Sequence, residues 1–358
     1  MPEDHFREAA LRLRAEVERR HARTLGEGTG GSSADPIAFL PLAPEAYRRA
    51  EILERVLVEE FTGKTLDELY RVQLADTEYG PVAALLDRRP LDQFPITPEQ
   101  CRQRLWGALR LLWRVGPVTE RKLRALGYRS LPELAHHPRW SGQVGELLQA
   151  IQAPDLPGLA VQIGRWYAIS HPLSLSLLGL VSPERVIFLD IETLGMATEP
   201  VILVGLAWPE EGELVVRQLV VRDIPEELPV LVETARAIAG AEALVTFNGR
   251  AFDLNYLASR FAYYGLHAEV DRPNFDLVHF ARRRWRDELP DCRLETLESH
   301  VLGVERPLDV PSAMVPEFYV TYLAEGNVGP LAAVIEHNRQ DLVSMVSLLS
   351  RLWEELMG

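Results

Sequence analysis

Val186-Ile187-Phe188-Leu189-Asp190-Ile191-Glu192-Thr193 is an apolar run that reads as a buried strand and ends by delivering two acids. Side chains two apart on a strand point to the same face, so Asp190 and Glu192 converge at one spot. A second stretch, Leu244-Val245-Thr246-Phe247-Asn248-Gly249-Arg250-Ala251-Phe252-Asp253, is another apolar strand that runs into an Asn-Gly break. A helix beginning near Ala251 then places Asp253 in its first turn. The third stretch, His337-Asn338-Arg339-Gln340-Asp341, is strongly helical, and His337 and Asp341, four apart, share one face. Two strand acids and two helix acids brought together repel one another unless cations sit between them. A divalent metal meets that need, and Mg²⁺ or Mn²⁺ prefers oxygen ligands of this kind.

Each motif has a plainer reading on its own. Asp253 is placed to cap the helix that follows Asn248-Gly249. His337 and Asp341 are also what any pair of helix neighbours looks like. The order, spacing and strand-or-helix context of all three together point instead to a four-carboxylate site.

This set of segments resembles the DnaQ-like 3′→5′ exonuclease superfamily, the DEDD nucleases, built on a ribonuclease-H-like fold. The resemblance covers about Glu184 to Leu356, with Asp190 and Glu192 matching the first motif, Asp253 the second and Asp341 the third. Within it, Pro316-Glu317-Phe318-Tyr319 and Glu336-His337-Asn338-Arg339-Gln340-Asp341-Leu342-Val343-Ser344 look like the YprB-like group. One spacing departs from the better-known branches. The histidine branch sets its His five residues before the last Asp and the tyrosine branch its Tyr four before; here His337 stands at the tyrosine spacing.

The resemblance implies a metal-dependent nuclease, most simply a 3′→5′ exonuclease on DNA or RNA with two Mg²⁺ or Mn²⁺ ions per site. Asp190 would bridge both ions, Glu192 and Asp341 would complete one shell, and Asp253 would hold the other ion. His337 would orient or deprotonate the attacking water, or alternatively hydrogen-bond a ligand carboxylate. Asn248 and Arg250, in the turn before Asp253, are candidate nucleic-acid contacts. Two further readings stay open: a nucleic-acid-binding module that has lost turnover, and a structure-specific endonuclease.

The chain has 358 residues, 47% of them hydrophobic, which is long enough for two domains. It has no apolar run long enough to span a membrane. The start, Met1-Pro2-Glu3-Asp4-His5-Phe6, lacks a signal-peptide apolar core, which argues for the cytoplasm. Cys101 and Cys292 lie far apart without metal-ligand spacing.

The net charge of −14 is unevenly spread. From Glu184 onward there are 29 acidic and 15 basic residues, whereas residues 1–183 carry 23 of each. An acidic total opposes binding a polyanion, so local patches decide. Cys101–Arg129 holds eight basic residues against the single acid Glu120. Arg282-Arg283-Arg284-Trp285-Arg286 is either an aromatic flanked by phosphate-binding arginines or a solvated helix face with a buried Trp.

The chain divides into a mainly helical region, 1–183, and an α/β domain, 184–358, with a mixed sheet and flanking helices. Helices are expected over Glu3–Arg23 and Pro44–Glu60, with a flexible linker over Gly26–Asp35 and a hairpin around Tyr79-Gly80. Pro154 to Leu180 reads as a connector. Between 105 and 137, Leu112-Trp113-Arg114-Val115-Gly116-Pro117-Val118-Thr119-Glu120-Arg121-Lys122-Leu123 resembles a helix-hairpin-helix. That resemblance implies backbone amides from Gly116 to Thr119 on a phosphate, with Arg121 and Lys122 adding charge. The family's first hairpin glycine aligns with Arg114, and a hairpin that only packs is the alternative. Beyond 184 the pattern is three antiparallel strands, a crossover helix over Pro225–Gly240, and a strand over Ala243–Phe247 parallel to the first. A helix over Phe252–Gly265, a strand ending at Asp276 and a helix over Leu331–Leu356 follow. Asp276 is a possible substrate contact or a helix cap.

Overall fold

The computed structural model describes residues 44–357 apart from 92, 93, 95, 269 and 307–309. The helix expected over Glu3–Arg23 and the linker over Gly26–Asp35 lie outside the described residues.

Helix α1 (Pro44–Glu60) is followed by a hairpin of β1 (Val72–Thr77) and β2 (Gly80–Pro90). The hairpin expected at Tyr79-Gly80 is present, with Gly80 at φ +127° and Thr77 Oγ1 donating to Gly80 O at 2.7 Å. Helices α2 (Pro98–Gly107), α3 (Pro117–Ala125), α4 (Ser141–Gln152) and α5 (Leu156–Gly164) come next. The stretch expected to be a connector therefore contains α5 and a further turn over Pro172–Leu175, and it buries Leu159, Ile163, Leu173 and Leu175.

The meander β3 (Val186–Thr193), β4 (Val201–Glu210) and β5 (Glu213–Val220) begins the C-terminal half. Glu211 and Gly212, both at positive φ, make its tight second turn, the handedness a two-residue hairpin needs. After α6 (Glu227–Gly240) come β6 (Ala243–Thr246), α7 (Asp253–Tyr263), β7 (Asn274–Asp276), α8 (Leu277–Trp285), α9 (Val315–Glu325) and the 30-residue α10 (Val328–Met357). The strand order is β1-β2-β5-β4-β3-β6-β7, antiparallel except for the β3–β6 and β6–β7 pairs. This mixed sheet with flanking helices is the α/β class expected. One feature was not legible beforehand: β2 pairs with β5 from Ala83↔Val220 to Pro90↔Glu213. The sheet thus draws strands from both sides of residue 183.

Alternation along the strands divides the core. Val186 and Phe188 pack with Ala243, Val245, Leu342 and Met345 on the α10 side. Ile187, Leu189 and Ile191 pack with Leu231, Leu257 and Phe261 on the α6 and α7 side. The even-numbered side chains of β3 therefore face α10, and Asp190 and Glu192 inherit that face. Among the described residues, no helix is long and apolar enough to cross a membrane.

A buried ion pair ties α7 to α6. Arg260 Nε and Nη2 donate to the two carboxylate oxygens of Glu227 at 2.7 and 2.5 Å, with both side chains almost wholly enclosed. Glu227 also accepts from Val201 N at 2.9 Å and Tyr264 OH at 2.8 Å, while Arg260 Nη1 donates to Thr198 O at 2.7 Å. Burying such charges is tolerable only because every oxygen is met. The result pins the loop that follows Glu192, and so fixes the end of β3.

Candidate active site

A row of three residues crosses the sheet on its α10 face. Asp190 pairs with Gly205, and Gly205 pairs with Gln218. Asn338 of α10 lies over the row. Its Nδ2 donates to Asp190 Oδ2 at 2.7 Å, and its Oδ1 accepts from Gln218 Nε2 at 2.9 Å. A Cβ at Gly205 would collide with Asn338 Oδ1, so this close approach requires glycine. The contact explains why an otherwise Val- and Leu-rich strand is interrupted there.

Asp253 opens α7, in the first turn as expected, and is buried. It does not serve as that helix's cap, because Phe252 holds the cap position. Its Oδ1 instead accepts from Ile191 N at 3.1 Å, which draws it to the strand between Asp190 and Glu192. The Asn-Gly break before it is held by Asp276, whose oxygens accept from Asn248 N at 2.7 Å, Arg250 N at 3.1 Å and Val278 N at 3.4 Å. Asn248 takes φ +62°, a conformation Asn tolerates better than most residues. Asp276 is thus the cap of α8, the second of its two readings, and it also clamps the turn. Asn248 and Arg250 are left with exposed side chains.

Asp341 and His337 share a face of α10, as their spacing requires. Arg306 donates from Nη2 to Asp341 Oδ1, and from Nη1 to His337 Nδ1 at 3.3 Å. The same guanidinium grips the buried Glu298 through Nε and Nη2, both at 2.6 Å, and Ser344 Oγ donates to Glu298 as well. His337 Nε2 lies 3.4 Å from Ser312 Oγ and 3.9 Å from an oxygen of each of Glu192 and Asp341. Sequence reasoning missed Asn338, Gln218, Gly205, Arg306 and Glu298. Asn338 stood inside a quoted motif, but nothing in the sequence paired it with β5.

The acids feel one another. Burial lifts the Asp190 carboxyl well above the usual carboxylate range, and repulsion from Asp341, Asp253 and Glu192 adds to it. Burial also pushes Asp253 up to about 7, opposed by the backbone N–H groups of Asp253 itself and of Ile191 and reinforced by Asp276 and Asp341. An all-oxygen set of mutually repelling acids is chemically suited to a hard divalent cation. As the side chains stand, no three His, Cys, Asp or Glu among the described residues form a ready cage. Asp190, Asp253 and Asp341 are engaged by Asn338, Ile191 N–H and Arg306 respectively.

The basic segments resolve differently. Gly116 is the cap residue of α3, and Arg121 and Lys122 are exposed on that helix. Arg114 adopts φ +63°, in the left-handed region that glycine enters more readily than arginine. In the arginine cluster Trp285 is buried, and Arg284 pairs with Glu355 at 2.8 Å and Glu288 at 2.5 Å. That agrees with a solvated face over a buried indole.

Residues 187–353 match the model of the RNase_H superfamily domain RNase_H_2, so the carboxylate cluster sits in a ribonuclease-H-like, nuclease-type domain. The chain is similar to the Bacillus subtilis (strain 168) protein named "Uncharacterized protein YprB", at 28% identity over 195 residues, 53% of this chain. The match spans 46% of that relative's length. A solved structure of the family B DNA polymerase from the hyperthermophilic archaeon Pyrobaculum calidifontis is similar at 18% identity and a TM-score of 0.37. It covers 49% of this chain and 25% of the polymerase.

Proposed function

We propose that this chain is a metal-dependent nuclease that hydrolyses phosphodiester bonds, acting as a 3′→5′ exonuclease. The observation that carries the reading is the convergence of Asp190, Asp253, Glu192 and Asp341, whose mutual repulsion adds to burial in raising the Asp190 carboxyl. Asp190, Glu192 and Asp341 would hold one Mg²⁺ or Mn²⁺ ion, with Asp190 and Asp253 serving a second. When bound, such ions activate a water and stabilise the departing 3′ oxygen. The protein's own part is positional: Asn338 fixes one oxygen of Asp190, and Ile191 N–H fixes one of Asp253. Asn248 and Arg250, exposed in the turn before Asp253, would contact the strand being cut.

The surroundings of His337 favour the hydrogen-bonding role over the base. Arginine has no acceptor, so Nδ1 must accept from Arg306, and the neutral ring then carries its proton on Nε2. That N–H faces Ser312, Glu192 and Asp341. With its proton on Nε2 the ring would orient those carboxylates, which supports the hydrogen-bonding role.

One observation favours the second reading, a nucleic-acid-binding module without turnover: Arg306 already neutralises Asp341. End-labelled single-stranded, duplex and RNA substrates, incubated with Mg²⁺ or Mn²⁺, separate the two readings. Asp190→Asn should lose at least about 10²-fold in rate with its fold intact. Near wild-type cleavage by this variant would overturn the metal-site reading, and absence of any cleavage or Mn²⁺-dependent thermal shift would favour the binding module.

A further inference from the structure

The turn before α3 presents a surface that neither the carboxylate site nor the sheet uses. Of the basic residues around it, Arg110 and Arg124 are spent on Glu120, at 2.6 and 2.9 Å. Arg114, Arg121 and Lys122 are exposed, and among the described residues no ion pair engages them. The chain has seven tryptophans, and the two that are exposed, Trp113 at 58% and Trp166 at 43%, flank this turn. Trp166 lies against Gly116, its Cη2 only 3.3 Å from where a Cβ would stand. The Arg165 guanidinium rests 5.2 Å from the centre of the Trp113 ring. Arg165 and Trp166, just past the end of α5, and the turn thus build one face, which the sequence, reading Pro154 to Leu180 as a connector, does not reveal.

We infer that this face binds an unpaired stretch of nucleic-acid strand. Bases would stack on Trp113 and Trp166, and phosphates would meet Arg114, Arg121, Lys122 and Arg165. Unneutralised cations beside open indoles complement a polyanion with flat apolar groups. The faces of paired bases are covered by their neighbours in a duplex, so only an unstacked strand has both features available at once. This inference rests on the nuclease reading for its substrate class, and it narrows that class to nucleic acid with a single-stranded segment.

The test is a binding measurement in EDTA, so that turnover plays no part. Labelled single-stranded oligonucleotide, blunt duplex of the same sequence and polyglutamate are titrated into the full chain. The single strand should bind more tightly than the duplex and quench tryptophan emission, and polyglutamate should bind weakly. Trp113→Ala should weaken single-strand binding about tenfold, with duplex binding little changed. Trp113→Phe should restore part of the loss, and melting temperature establishes that each variant is folded. Trp166→Phe, which keeps a ring against Gly116, provides a second reading if Trp166→Ala does not fold. Equal affinity for single strand and duplex, or unaltered binding by folded Trp113→Ala, would overturn the inference. Tight polyglutamate binding would reassign the face to an acidic protein segment. Single-strand binding without cleavage in Mg²⁺ would instead refute the nuclease reading and leave this one standing.

Discussion

Asn338 Nδ2 stands 2.7 Å from Asp190 Oδ2, so the acid at the centre of the cluster is oriented by an amide from the opposite layer of the fold. The amide is itself fixed by Gln218, and neither residue is a candidate metal ligand.

Asn338→Ala should therefore reduce cleavage about 10–100-fold while leaving Asp190 in place, the usual effect of removing a partner that orients a ligand. It also strips an acceptor from buried Gln218, at a cost of about 1–3 kcal/mol. Parallel measurement of rate and denaturant stability checks both. Full activity in the variant would show that Asp190 needs no such orientation.

His337→Ala should lower affinity for Mn²⁺ about 10–100-fold, and excess Mn²⁺ should restore the rate. A general base would instead show a loss of about 10²–10⁴-fold in turnover that metal cannot rescue. Metal titration of the cleavage rate decides between the two.

The raised carboxyls give a pH dependence with a definite sign. Asp253 holds its proton up to about 7 in the folded chain, against an ordinary value of 3.8. The native state therefore binds more protons between those values. Its contribution is fully present below about pH 4 and is lost as pH rises through about 7. With divalent metal chelated, wild-type melting temperature should fall relative to Asp253→Asn across that window. Parallel curves for the two proteins would contradict the shift.

Arg260→Ala should cost about 3–5 kcal/mol, because it leaves Glu227 charged and buried without its partner. Chemical denaturation measures the loss. A change under about 1 kcal/mol would mean that water replaces the guanidinium.

Replacing Arg121 and Lys122 together with Ala should lower the slope of log affinity against log salt by about 1.4–1.8. Turnover at saturating substrate should change much less. If the helix only packs, the slope stays the same and melting temperature falls.

Much of this arrangement was legible because its signals are local. The parity of Asp190 and Glu192 on one strand and the helical spacing of His337 and Asp341 survive as read. Asp253 also lies in the first turn of its helix, although that helix begins two residues later than expected. What escaped depends on contacts between distant segments. Gln218 reads as one more polar residue on an amphipathic strand until Asn338 is laid over it. Arg306 sits in an irregular stretch with no periodicity to read, yet it reaches Asp341, Glu298 and His337. The β1–β2 hairpin was foreseen, but its partner strand was not, because β2 is buried as the run Val82–Leu85 and alternation there names no face.

That pairing of β2 with β5 has a consequence for synthesis on the ribosome. Ala83 is made well over a hundred residues before Val220, so at about 5–20 residues per second roughly 7–27 seconds pass before its neighbour strand exists. A lone two-stranded hairpin is marginal in water, and the apolar run Val82–Leu85 is available to other chains throughout that interval. The nascent protein is therefore most vulnerable before β5 emerges. The carboxylate cluster closes later still, when α10 brings Asp341 and Asn338 down onto a sheet that is already complete.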